Sequence, residues 1–173
     1  MLAMSFKQPW LWAIVEGHKK AENRTWPPPN KLFFSGRPRP LLALHASATW
    51  DADGASFVSA RLGQVGLEAT RRSAILGVAR VVGWTEMDEQ HRIVGASMSG
   101  LFDIHGDGER TFRVESDPWA FGPYVWHLSE VVSLGDDYIQ NVKGQLGVWE
   151  TGPELETEIR LRLQRRLDGS HVA

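Results

Sequence analysis

Proline and glycine divide this chain of 173 residues into short apolar runs, and no regular alternation of strand and helix links them. A doubly wound parallel sheet needs that alternation, so the pattern points instead to an α+β or mostly-β domain. Leu2 to Phe6, Leu41 to Ala46, Ile75 to Trp84, Tyr124 to Val132 and Gln145 to Trp149 read as strands. Pro9 suits the first turn of a short helix over Trp10 to Glu16, and Gly17 suits its end. Lys20 to Trp26 reads as a further strand, closed by Pro27-Pro28-Pro29, which cannot donate to a ladder. Lys31 to Pro40 reads as a loop with weak strand character at Leu32-Phe33-Phe34. Trp50 to Gly54 reads as a turn, and Ala55 to Arg72 as helical in places, broken near Gly63 and Gly66. Glu86 to Gly100 fits no single pattern. Leu101 to Val114 suits a hairpin around Gly106-Asp107-Gly108. Pro153 to Leu167 is an amphipathic helix with both charge signs on its exposed faces, and Gly169 to Ala173 should be a loose end.

The length fits one domain able to bury its own core. Hydrophobic residues make up 42% and charged residues 23%, a globular composition. Cysteine is absent, which excludes disulfides, thiolate metal sites and a cysteine nucleophile, and suits a reducing cytoplasm. No apolar run approaches the roughly 20 residues of a membrane helix, and the first residues do not read as a signal peptide. With a net charge of −2 the surface as a whole does not attract nucleic acid. Local charge differs: Lys19, Lys20, Arg24, Lys31, Arg37 and Arg39 face a single acid, Glu22, between His18 and Pro40. A small basic zone suits a local phosphate contact better than a long duplex footprint.

In an extended Lys20 to Trp26, Lys20, Glu22, Arg24 and Trp26 share one face, with Ala21, Asn23 and Thr25 on the other. Arg24 then clamps a phosphate or holds Glu22. Glu22 accepts from an amino group on a base edge, and Lys19 meets a phosphate or acts as a base. The plainer alternative is a structural ion pair with both lysines in water.

The run Gly17-His18-Lys19-Lys20-Ala21-Glu22-Asn23-Arg24 resembles the signature of the ASCH domain, a branch of the PUA-like superfamily. Further pieces follow in order: Phe6 to Trp10, Leu41 to Ser47, Ile75 to Val82, Trp119 to Trp126 and Val142 to Trp149. The resemblance spans roughly Leu2 to Glu150, so the domain is expected over residues 1–150, with residues 151–173 an added helix and tail. It implies a PUA-like fold, a small mixed or antiparallel β-barrel flanked by helices, with a cleft lined by the signature. It also implies association with RNA, transcription coactivation or modified nucleosides. One related branch hydrolyses N4-acetylcytidine with a threonine nucleophile. Here Glu22 stands in that place. A carboxylate does not replace an activated hydroxyl, although it can position a water as general base.

Other residues extend the candidate list. Gln8 and Trp10 flank Pro9, as a base-reading amide beside a stacking indole or as a helix cap beside a core ring. His45 and Ser47 share one face of a strand, without a nucleophile elbow nearby. Trp119, next to Asp117-Pro118, is a candidate ligand-facing ring, and Lys143 a candidate phosphate contact. Asp103 to Glu109 lacks the spacing of a calcium loop and reads as a polar turn. The expectation is therefore a module for RNA or a nucleotide, modified nucleosides included, with no cofactor, metal or membrane. The alternatives are a hydrolase using Lys19 and Glu22 and a protein-interaction domain.

Overall fold

The computed structural model describes residues 1–33, 39–97 and 117–169. The expected hairpin around Gly106-Asp107-Gly108, the polar turn at Asp103 to Glu109, Arg37 and the last four residues lie outside the described residues. The architecture is α+β, as expected, with seven strands and four α-helices among the described residues. The chain forms two compact units. Met1–His18, Leu41–Ala79 and the chain from Val131 onward make the first; Lys19–Pro40 and Arg80–Glu130 make the second.

The first unit is built on β1 (Leu2–Gln8), which pairs in parallel with β3 (Leu42–Trp50) and antiparallel with β7 (Val148–Glu150). The Ala74–Ala79 part of β4 (Ala74–Met87) runs antiparallel to β3. Leu42 to Ala46 is buried at every position, His45 included, which is why its apolar residues do not alternate with exposed polar ones. Helix α1 (Trp10–Val15) is short because Gly17, at φ +79°, turns the chain away, a backbone state that glycine adopts without strain. Helix α3 (Ala52–Leu62) begins where a turn was expected. Asp51 caps it, its carboxylate accepting from the Gly54 N–H, and Asp-x-x-Gly reads equally well as a cap or a turn. The C-terminal helix α4 (Pro153–Gly169) is not an appendage of this unit. Ile159 is fully buried among Ala3, Ala43, Ile75, Val78, Leu134, Ile139 and Trp149.

In the second unit β2 (Ala21–Arg24) pairs antiparallel with β6 (Tyr124–Ser133), whose next neighbour is β4. The far end of β4 pairs with β5 (Ile93–Ser97). The stretch after Glu86 is thus resolved: β4 runs on to Met87, Asp88 holds a turn by accepting from the N–H groups of Gln90 and Arg92, and β5 returns. Asn30–Phe33 forms one helical turn, α2, in place of the weak strand expected from Leu32 onward. The preceding prolines leave it no ladder to join.

Candidate functional site

The charged cluster belongs to the second unit. Opposite residues across β2 and β6 share a face, and Glu22 lies opposite Trp126 and Arg24 opposite Tyr124. Glu22 and Arg24 do share one face, as alternation requires. Lys19 joins them from the connection before the strand. Its side chain is 1% exposed, and its Nζ donates to the Ala21 carbonyl and, at 2.9 Å, to Glu22 Oε2. Arg24 Nη2 lies 3.0 Å from Glu22 Oε1. One carboxylate therefore bridges two cations, an oxygen for each. Only Lys20 is exposed, so the reading that leaves both lysines in water fails for Lys19. A carboxylate has about four lone-pair sites, so Glu22 keeps acceptor capacity beyond these two bonds. The Arg24 side chain is 23% exposed.

Aromatic rings share this face. Trp126 is fully buried and meets Trp26 edge-on, centroids 4.7 Å apart, while its Nε1–H donates to the Trp26 carbonyl. Tyr124 meets Trp84 at 5.7 Å and donates its hydroxyl to Glu86 Oε1 at 2.9 Å. That bond to a carboxylate pushes the Tyr124 hydroxyl upward in pKa. One sheet face thus carries Glu22 and Arg24, then Tyr124 and Trp126, then Trp84 and Glu86. Sequence reasoning missed Trp84 and Glu86. Their alternation on one strand was visible, but nothing in the sequence said that this strand lies beside β6.

The opposite face holds His127, fully buried, with Nε2 2.8 Å from Thr85 Oγ1. Burial disfavours the imidazolium and lowers its pKa to about 4. The unfolded value is about 6.5, so as pH falls the unfolded chain takes up this proton first. The stability intact above about pH 6.5 is lost progressively down to about 4. At pH 5 this residue should lower stability by about 2 kcal/mol relative to pH 7.5. His45 is shifted the same way by burial, so the test compares urea unfolding of wild type and His127→Gln at both pH values. Parallel pH profiles would contradict the assignment.

Asn23 ties the loop before β6 to β2. Its Oδ1 accepts from the N–H groups of Phe121 and Gly122, and its Nδ2 donates to the Trp119 carbonyl. Gly122 backs onto Asn23 so closely that a Cβ there would lie 2.9 Å from the Asn23 Cβ. The Trp119 ring itself is buried.

The other candidates belong to the first unit. Gln8 is fully buried; its Oε1 accepts from the Trp12 N–H and its Nε2 donates to the Arg71 carbonyl, so the amide caps α1. Trp10 donates its Nε1–H to Asp51 Oδ2 at 2.9 Å. His45 is buried between Ser5 Oγ, 3.0 Å from Nδ1, and the Val142 carbonyl, 2.9 Å from Nε2. Ser47 is half-buried and bonds weakly to the Thr49 carbonyl, and Lys143 is exposed. Among the described residues no three His, Asp or Glu side chains gather into a metal-binding group. No described helix is long and apolar enough to cross a membrane.

Comparison with known families matches residues 4–124 to the ASCH domain. The match covers well over half of the chain, and the protein belongs to the ASCH domain family, whose fold is PUA-like. That family is generally an RNA-binding one, which supports a nucleic-acid-binding reading. A search of curated proteins finds no match.

Proposed function

We propose that the second unit's sheet face binds RNA through one nucleotide, or the corresponding free nucleotide, modified bases included. The observation that carries this is the Lys19–Glu22–Arg24 chain on the same face as Trp26, Trp126 and Tyr124. The partly exposed Arg24 meets the phosphate, since a planar guanidinium matches phosphate oxygens. Lys19 holds the Glu22 carboxylate, whose remaining lone pairs accept from an exocyclic amino group on a base. The half-buried Trp26 takes the base on its face, backed edge-on by Trp126. A stacked base contributes roughly 1–3 kcal/mol, so affinity should be modest for a lone nucleotide. Gln8, its amide spent on α1 and the Arg71 carbonyl, takes no part in this reading. The compartment proposed is the cytoplasm, which the cysteine-free composition suits.

The buried Lys19–Glu22 contact also favours a second reading, hydrolysis of a nucleoside amide or of RNA, with Glu22 positioning a water. One screen separates the two. Wild type and Arg24→Ala are melted with nucleosides, nucleoside monophosphates and short RNAs. At 100 times its Kd a true ligand adds about 2.7 kcal/mol. For a chain of this size that raises Tm by roughly 5–10 °C. The rise should be largest for nucleotides bearing phosphate and should shrink in Arg24→Ala. Product appearing in the same mixtures, and lost in Glu22→Gln, would favour hydrolysis. A flat response to every compound would overturn both readings and leave a protein-interaction domain.

A further inference from the structure

The first unit has an aromatic and basic strip that the proposed nucleotide site does not use. Trp50, the last residue of β3, is a 40% exposed indole at the strand's exposed end, after Ala48 and Thr49. The Arg72 guanidinium lies over its ring, 4.8 Å from the centroid. Arg72 is held there by donating Nη1 to the carbonyls of Ala69 and Arg71, so the stack is fixed rather than a chance contact of a long side chain. Asp51, next in sequence, caps α3 with one carboxylate oxygen and accepts from Trp10 Nε1 with the other. Trp10 lies against Gly54, where a Cβ would come within 2.6 Å of Nε1, so the absent side chain is what lets the indole settle on the helix. Its ring then meets Phe57 at 5.4 Å, and the Arg61 guanidinium lies 3.5 Å from the centre of the Phe57 ring. Lys7, exposed on β1, is close enough to Asp51 for its charge to favour the carboxylate.

Two rings, each with a guanidinium over it, thus stand at the two ends of a path joined by Asp51 and Trp10. Rings provide stacking platforms that tolerate any base, and cations placed among them meet the phosphates between bases. An edge of a folded duplex offers no splayed bases to stack, so the pattern fits a single strand. We infer that the strip from Trp50 and Arg72 to Phe57 and Arg61 is a second contact surface for single-stranded nucleic acid. It rests on the nucleic-acid reading of the protein but uses none of the residues assigned to the nucleotide site. It makes the preferred ligand a strand of several nucleotides rather than a lone nucleotide.

The test measures two affinities on each protein. A fluorescein-labelled oligouridine of about 12 nucleotides, within the usual span of single-strand sites, is followed by anisotropy. Cytidine monophosphate, whose base carries an exocyclic amino group for Glu22, is followed by calorimetry. Trp50→Ala and Arg61→Ala should each weaken oligonucleotide binding roughly tenfold. Arg61→Ala should also flatten the slope of log affinity against log salt by about 0.7, one phosphate contact to a single strand. Both variants should bind the monophosphate as wild type does. Trp50→Phe keeps a stacking ring, should retain most oligonucleotide affinity, and guards against a mere folding defect. Variants that bind the oligonucleotide like wild type would overturn this inference and leave the nucleotide site untouched. Wild-type binding of the oligonucleotide without binding of the monophosphate would overturn the nucleotide site instead, with the strip upheld if Trp50→Ala still weakens it. No binding of either probe would sink both.

Discussion

Unfolding of a Glu22→Ala variant in urea is expected at a free energy about 3–5 kcal/mol below wild type. The removed carboxylate bridges Lys19 and Arg24, and neither gains a comparable partner from alanine. Arg24 is partly exposed and can turn to water. Lys19 is 1% exposed and cannot do so without opening the sheet edge. The larger share of the loss therefore comes from a buried ammonium deprived of its carboxylate partner. This is why the whole effect should exceed that of an exposed pair, which contributes at most about 1 kcal/mol. The double variant Lys19→Met, Glu22→Leu removes both buried charges together and should recover most of the stability. A mutant cycle over Lys19 and Glu22 should give a coupling of about 2 kcal/mol or more. A loss below about 1 kcal/mol in Glu22→Ala would place the pair among surface ion pairs and remove the physical basis for a preformed anionic acceptor there.

Trp126→Ala should lose about 3–5 kcal/mol, the usual range for deleting a large buried ring. Three consequences combine. The fully buried indole leaves a void, the edge-on contact with Trp26 disappears, and the Trp26 carbonyl loses its donor. Trp126→Phe keeps a ring but not the N–H, so its loss should be about 1–3 kcal/mol. The two tryptophans sit 4.7 Å apart and should share a near-ultraviolet circular dichroism band. That band should fall to a similar extent in Trp126→Phe and Trp26→Phe. Unequal loss of the band, or a near-wild-type unfolding midpoint for Trp126→Ala, would show that the rings do not pack as a pair.

The strands and the C-terminal helix were legible because their signals are local. Glycine ends α1, three prolines follow β2, and α4 has an amphipathic face. Alternation alone also places Glu22 and Arg24 on one face. The depth of Lys19 was not legible. Lys19 and Lys20 are adjacent and chemically alike, and only the turn into β2 decides that one is buried and the other exposed. Nor was the companionship of Arg24 with Tyr124, Trp84 and Glu86, because strand adjacency is set by tertiary pairing across some 40 to 100 residues. Asp51 was read as a turn residue because a cap and a turn use the same side-chain bond to a nearby N–H. Gln8 had two legible readings, and the fold spends its amide on the start of α1.

On the proposed reading the Arg24 face of the second unit takes a nucleotide. The most direct measurement follows the indole N–H signals of the eight tryptophans in a proton–nitrogen spectrum while cytidine monophosphate is added. The signals of Trp26, Trp126 and Trp84 should move together and saturate, and Arg24→Ala should remove the movement. Saturable movement confined to tryptophans of the first unit, or none at concentrations well above a millimolar Kd, would contradict it.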